Sequence, residues 1–106
     1  MEWFKVMAEV ELVDCASVVV EGSSVALFRV GGEIFALDDA CSHEQALLSE
    51  GDIEDGRVIC PKHGSSFDLR TGAVKGLPAT KAVRAWATKT EGGWIWVAKH
   101  AANPST

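Results

Sequence analysis

Two short segments of this chain each combine a cysteine with a histidine. The first is Cys41-Ser42-His43 and the second is Cys60-Pro61-Lys62-His63, with sixteen residues between His43 and Cys60. Each segment offers one thiolate and one imidazole within a few residues of each other. Mixed sulfur and nitrogen ligands suit zinc or iron–sulfur chemistry, and they exclude magnesium and calcium, which prefer oxygen. These residues therefore favour a soft metal centre.

The spacing of the four residues favours two metal ions over one. Structural zinc sites commonly pair Cys with Cys and His with His. Here both pairs are mixed, and a single residue separates Cys41 from His43, which is awkward for two ligands of one tetrahedral ion. In Rieske [2Fe–2S] centres, two histidines replace two cysteines on one iron. This arrangement assigns Cys41 and Cys60 to one iron and His43 and His63 to the other, while a zinc-bound interaction module remains the alternative.

The segments that carry these four residues resemble the two cluster loops of the Rieske family. The resemblance continues after the second loop and covers nearly the whole chain, because the flanking hairpins match the β framework of that family. It implies one Rieske-type [2Fe–2S] cluster, bound by all four residues. The segments that resemble the family are Cys41-Ser42-His43, Cys60-Pro61-Lys62-His63-Gly64-Ser65-Ser66-Phe67-Asp68, Asp68-Leu69-Arg70-Thr71-Gly72 and, in the loop that covers the cluster, Gly76-Leu77-Pro78.

Two differences within the loops indicate which Rieske proteins this chain resembles. Cytochrome bc-type members carry an extra cysteine in each loop, and neither Ala46 nor Lys62 supplies one here. Those members also have a tyrosine where this chain has Phe67, which cannot donate a hydrogen bond to a ligand sulfur. Ser65, in contrast, is similar to a serine of high-potential relatives that donates to a bridging sulfide. The pattern as a whole resembles the low-potential ferredoxins of bacterial aromatic-ring-hydroxylating dioxygenase systems.

This resemblance implies a one-electron carrier that is not itself an enzyme. A flavin-containing ferredoxin reductase, dependent on NADH or NADPH, is expected to reduce the cluster. The carrier is then expected to pass single electrons to a terminal Rieske oxygenase that acts on an aromatic ring. A Rieske-like small subunit of another oxidoreductase, such as nitrite reductase, is the other function that the same ligands allow.

Short β-rich runs separated by glycine turns must position these loops. Residues 25–30 and 33–37 flank Gly31-Gly32 and predict a hairpin, and residues 82–88 and 94–97 predict a second one around Gly92-Gly93. Residues 4–10 predict an edge strand. Together they predict an all-β fold, a small antiparallel sandwich or barrel. The resemblance implies that it is of Rieske type, with a loop-rich cluster-binding subdomain.

The length predicts a single domain over residues 1–106, and the resemblance implies that it is a Rieske domain. Its cluster-binding part is expected at about 40–80. The β base is expected from residues 1–39 and 81–100.

Composition restricts the partners. The formal net charge of -5 disfavours nucleic acid and anionic membranes, and no apolar run approaches the roughly 20 residues that span a bilayer. No leader is visible, and an odd number of cysteines does not indicate a disulfide framework, so we expect a cytoplasmic monomer. Cys15 is predicted to be a small buried hydrophobic residue.

Overall fold

The computed structural model describes residues 2–40, 46–61, 64–76 and 81–99. Within these ranges the chain forms ten β-strands and two short 3-10 turns, Glu9–Glu11 and Leu48–Glu50. The all-β prediction is confirmed. In chain order the strands are β1 (Phe4–Ala8), β2 (Cys15–Val20), β3 (Ser23–Val30), β4 (Glu33–Asp38), β5 (Asp52–Glu54), β6 (Arg57–Ile59), β7 (Ser66–Asp68), β8 (Val74–Gly76), β9 (Ala85–Glu91) and β10 (Trp94–Lys99).

Six strands form an antiparallel sheet in the order β1-β10-β9-β4-β3-β2, which we call the base sheet. Both predicted glycine hairpins lie in it, since Val30 pairs with Glu33 and Glu91 pairs with Trp94. The predicted first strand is confirmed as an edge strand, although it ends at Ala8. β1 and β2, at the two ends of the strand order, contact each other, so the sheet is nearly closed into a barrel.

Residues between β4 and β9 form a second antiparallel sheet, in the order β5-β6-β7-β8, which we call the small sheet. Each of its strands has three residues. The chain returns to the base sheet at β9. This strand begins at Ala85, whereas the sequence predicts a start at Ala82. β9 pairs with β4 through Ala36 with Trp86 and Leu37 with Ala85, which joins the two hairpins of the base sheet.

The buried side chains form two clusters. One lies within the base sheet and the segment that precedes β2, and includes Leu27, Trp86 and Ile95. The other lies between the two sheets, where Phe28 and Leu37 of the base sheet pack with the small sheet and the loops beside it. The members of this second cluster are Ala26, Phe28, Leu37, Leu48, Val58, Cys60, Phe67, Leu69, Val83 and Ala85.

The prediction that Cys15 is buried is wrong. Its side chain is exposed on β2, and its Sγ donates a hydrogen bond to the carbonyl oxygen of Ser49 at 3.0 Å. The burial of β2 alternates along the strand, and Cys15 falls in the same outward phase as Ser17 and Val19. The residue therefore follows the two-residue period of its strand and not the general tendency of cysteine to be buried.

Among the described residues, no helix is both long and apolar enough to span a bilayer.

Candidate metal centre

The structure places one of the four predicted ligands. Cys60 follows β6 directly, is 2% exposed and forms no disulfide. Cys41, His43 and His63 lie outside the described residues. Within the described ranges, no group of three or more His, Cys, Asp or Glu residues is positioned to hold a metal ion. The four-residue ligand set therefore stays a prediction, and the structure contributes the positions of the segments that lead into both loops.

The second loop is a hairpin connection between β6 and β7. Ile59 pairs with Ser66, and the N–H of Cys60 donates to the carbonyl oxygen of Ser65 at 2.6 Å. The N–H of Gly64 donates back to the carbonyl oxygen of Cys60 at 3.2 Å. Gly64 has φ of 78°, in the left-handed region where glycine carries no steric cost. These bonds fix both ends of the turn that contains His63.

The first loop is closed at its base as well. Ala40 and Leu47 form an antiparallel bridge, so the chain leaves and returns side by side around residues 41–46. The N–H of Leu48 donates to the carbonyl oxygen of Asp39 at 2.6 Å, one step further from the loop. Each cysteine–histidine segment is thus contained in a loop whose two ends are hydrogen-bonded to each other.

The bases of the two loops are adjacent. From the first loop the chain runs through Gly51 into β5, and Asp52 of β5 pairs with Ile59, the residue before Cys60. A Cβ atom at position 51 would collide with the carbonyl oxygen of Ile59, so this close approach requires glycine. Leu48, which follows the first loop, packs in the same buried cluster as Cys60. The structure therefore places the bases of the two loops side by side.

Asp39 is a site residue that the sequence did not reveal. It stands two positions before Cys41, and its side chain is 0% exposed. Oδ1 accepts from the N–H of Ser49 at 2.8 Å, while Oδ2 accepts from three hydroxyls. Those hydroxyls belong to Ser17 at 2.6 Å, Ser24 at 3.2 Å and Ser49 at 3.1 Å. In the sequence, an aspartate next to Asp38 has the signature of a solvated turn, and only the folded chain brings the serines to it.

Asp68 organises the turn that follows the second loop. Its Oδ1 accepts from the N–H of Arg70 at 2.8 Å and from that of Thr71 at 3.0 Å. Aspartate commonly stabilises turns by bonding to backbone two or three residues further on. The segment Asp68-Leu69-Arg70-Thr71-Gly72, which resembles the family's continuation, is therefore a turn that joins β7 to β8.

The surroundings of Cys60 fit an iron–sulfur ligand. Its side chain belongs to the same buried cluster as Val58, Phe67 and Leu69, and Ser65, whose carbonyl oxygen accepts the Cys60 N–H, is 1% exposed. Apolar packing of this kind shields a metal–thiolate bond from water, and the hydrogen bonds around a ligand sulfur adjust the potential of a cluster. Two thiolates and two imidazoles form the donor set of a Rieske centre.

Comparison with known proteins identifies the family. The Rieske [2Fe-2S] domain matches residues 2–87. The chain belongs to the Rieske family, and its cofactor is a Rieske-type [2Fe–2S] cluster. This finding decides between the two metal centres that the sequence left open, in favour of the cluster.

Within this family the chain is similar to ferredoxins. It is 48% identical over 73 residues to the anthranilate 1,2-dioxygenase ferredoxin subunit of Burkholderia cepacia, covering 69% of this chain and 68% of the relative. The ferredoxin of carbazole 1,9a-dioxygenase from Nocardioides aromaticivorans IC177 superposes with a TM-score of 0.87 at 31% identity, over 94% of this chain and all of that one. The predicted resemblance to dioxygenase ferredoxins and the predicted fold type are confirmed.

A second similar structure is a complex of reduced oxygenase and oxidised ferredoxin in carbazole 1,9a-dioxygenase. The TM-score is 0.85 at 30% identity, and the match covers 94% of this chain and 97% of that one. The matched chain therefore has nearly the length of this one.

Proposed function

We propose that this protein carries single electrons from a flavin-containing, NAD(P)H-dependent reductase to a terminal dioxygenase that acts on aromatic rings. Its Rieske cluster, which stores one electron reversibly, is bound by Cys41, His43, Cys60 and His63 in this proposal. The observation that supports the proposal is that the bases of the two closed loops are adjacent, and the sequence of each loop contains one cysteine and one histidine.

The described rim of the two loops suits transient docking. Ala40 and Leu47 flank the first loop, Pro61 and Gly64 belong to the second, and all four are exposed. None of these four residues carries a charge, so a contact made with them does not desolvate an ion. A small and weakly apolar contact of this kind is typical of electron-transfer complexes, which bury little surface and dissociate readily.

The similar structures support the choice of partner. One of them contains a ferredoxin together with an oxygenase, and the relative from Burkholderia cepacia is a subunit of a dioxygenase for the aromatic acid anthranilate. The flavin reductase completes the proposed chain, because a nicotinamide donates a hydride and a flavin can divide it into single electrons. A cytoplasmic location and a single Rieske domain over residues 1–106, with its cluster part at about 40–80, belong to the same proposal.

Reconstitution tests this function. The purified holoprotein is combined with a flavin-containing ferredoxin reductase, NADH and the terminal oxygenase of an aromatic-acid dioxygenase, and hydroxylated product is measured. We expect product to depend on the holoprotein and to saturate with its concentration. Leu47→Asp, which places a charge on the exposed rim, should raise the concentration needed for half-maximal turnover while the visible spectrum of the cluster is retained.

Ile53→Asp is the matched control for the rim variant. Ile53 is as exposed as Leu47, at 37% against 40%, but it lies on the edge strand β5. Its substitution should leave turnover unchanged. Equal product formation with and without the holoprotein, using every reductase and oxygenase pair tried, would contradict the proposed function.

A further inference from the structure

Asp39 is the buried carboxylate nearest in sequence to the first cluster loop. A buried carboxylate is strongly destabilising unless hydrogen bonds compensate for its lost hydration. Asp39 has four such bonds, one from a backbone N–H, which can only donate, and three from hydroxyls. Three hydrogen bonds from serine hydroxyls restrict this side chain to a single position.

The bonds of Asp39 connect both arms of the loop to the base sheet. On the departing arm, its own N–H donates to the carbonyl oxygen of Ser24 in β3 at 3.0 Å. On the returning arm, the N–H and hydroxyl of Ser49 and the N–H of Leu48 all donate to Asp39. The hydroxyl of Ser17 adds β2 to the same carboxylate. One residue therefore joins two strands and both ends of the loop.

Ser49 is held from its other side as well. Its carbonyl oxygen accepts the Cys15 thiol at 3.0 Å, so its N–H, hydroxyl and carbonyl all have partners. Asp39 and Cys41 are separated by two residue steps, which an extended chain spans in about 7 Å. A change in the position of Asp39 must therefore be transmitted to Cys41 over a very short distance.

We infer that Asp39 is the positioning residue of the first cluster loop, and that its carboxylate holds the two arms in the spacing that Cys41 and His43 need. The inference deepens the proposed function and rests on it, since it requires a cluster in that loop. Groups that orient metal ligands without touching the metal typically change metal retention by about 10- to 100-fold when they are removed.

The test compares Asp39→Ala with Asp39→Asn and with Asp38→Ala as the matched control. Asp38 is the neighbouring carboxylate, but its Oδ1 accepts from Trp86 Nε1 of β9 at 2.8 Å and not from the returning arm of the loop. Asparagine keeps the shape of aspartate and an oxygen for the Ser49 N–H. The measurement is the rate at which the visible absorption of the holoprotein disappears in the presence of an iron chelator.

We expect Asp39→Ala to lose its cluster about 10-fold faster or more, Asp39→Asn to recover most of the stability, and Asp38→Ala to match the wild type. The midpoint potential is the second readout, because it reports the charge of Asp39 beside the cluster, which a loss of fold stability alone would not change. Removing a negative charge near the cluster favours its reduced form, so Asp39→Asn should raise the potential, by up to the roughly 59 mV of a tenfold change in a one-electron equilibrium.

Several results would overturn the inference. Cluster loss from Asp39→Ala at the wild-type rate would do so, as would equally fast loss from Asp38→Ala. If Asp39→Ala does not fold, Ser49→Ala decides: it removes the hydroxyl that joins the returning arm to Asp39 and should lose its cluster faster than the wild type, and a wild-type rate would refute the inference. A wild-type protein that binds no cluster would overturn the proposed function and this inference together, whereas a normal wild type with unaffected variants would overturn this inference alone.

Discussion

The base sheet and the small sheet differ in what holds them together. Strands of the base sheet have five to eight residues, and glycine turns connect its hairpins. Strands of the small sheet have three residues each. Beside these short strands, carboxylates accept hydrogen bonds from the backbone. Asp39 does so at the first loop and Asp68 after the second. The region that carries the predicted ligands therefore relies on specific polar contacts.

The two buried clusters show which sheet depends on the other. The cluster around Leu27, Trp86 and Ile95 contains base-sheet residues and residues of the adjoining segment only. The cluster around Phe28 needs both sheets. Strands of three residues are too short to be stable alone, so the small sheet must fold onto the base sheet. Because of this asymmetry, a substitution near the metal centre should have a local effect, whereas a substitution in the buried cluster around Phe28 should destabilise both sheets.

Cys60→Ser is expected to have the largest effect on the metal centre and a small one on the base sheet. Serine retains the volume but replaces a soft thiolate with a hard oxygen, which suits iron–sulfur clusters poorly. The holoprotein should lose its visible absorption, while the β-sheet circular dichroism is retained. Cys15→Ser is the control on an exposed cysteine and should keep the full absorption. A Cys60→Ser protein with a normal cluster would show that the ligand set is wrong.

Phe28→Ala is expected to destabilise both sheets, because this side chain is 0% exposed in the cluster they share. Truncation of a buried phenylalanine typically costs about 3–5 kcal/mol. This loss should appear in urea unfolding of the holoprotein, whether unfolding is followed by tryptophan fluorescence or by the visible absorption of the metal cluster. Val19→Ala, at an exposed position of β2, should change the free energy of unfolding by less than about 0.5 kcal/mol. Similar losses in the two variants would contradict the asymmetry.

Ser65→Ala is expected to change the redox chemistry of the small sheet without affecting the base sheet. Ser65 is 1% exposed, and its carbonyl oxygen accepts the N–H of Cys60. If its hydroxyl donates to the cluster, as the serine of high-potential relatives does, removal should lower the midpoint potential, since hydrogen bonds to sulfur favour the reduced form. The outcome is measured by voltammetry, and an unchanged potential would refute the role of this hydroxyl.

Glu33→Gln is expected to have the smallest effect, although it breaks an ion pair between the two regions. Arg70 Nη2 lies 2.8 Å from Glu33 Oε1, and both side chains are more than half exposed. Exposed pairs contribute about 0–1 kcal/mol, and high salt screens them further. A double-mutant cycle with Arg70→Gln measures the coupling. A coupling energy well above this range would mean that the ion pair, and not the shared cluster, joins the sheets.

The sequence predicted the hairpins of the base sheet well because the contacts within each hairpin are local. Gly31-Gly32 and Gly92-Gly93 mark hairpins whose partners are neighbours along the chain. The exposure of Cys15 could have been predicted from the two-residue alternation of a strand, since Cys15 and Ser17 share the outward phase of β2. The start of β9 at Ala85 could not have been predicted, because Ala82 and Val83 are apolar like strand residues but are not paired with a neighbouring strand.

Around the candidate site, the sequence predicted the metal ligands but not the hydrogen bonds that hold the loops in position. The types and spacing of the Cys-His pairs identify a metal centre by themselves. Asp39 is different, because its role depends on Ser17 and Ser24, which lie 22 and 15 residues away, and on Ser49 beyond the loop. Such contacts between distant segments leave no local period or motif, so they become visible only in the folded chain.

The electron paramagnetic resonance spectrum of the purified protein, recorded before and after chemical reduction, tests the central claim most directly. We expect a coloured protein that is silent when oxidised and gives the signal of one Rieske [2Fe–2S] cluster per chain when reduced by one electron. The Cys15→Ser protein should give the same signal, and the Cys60→Ser protein should not. A colourless protein that remains silent after reduction and contains zinc would contradict the account.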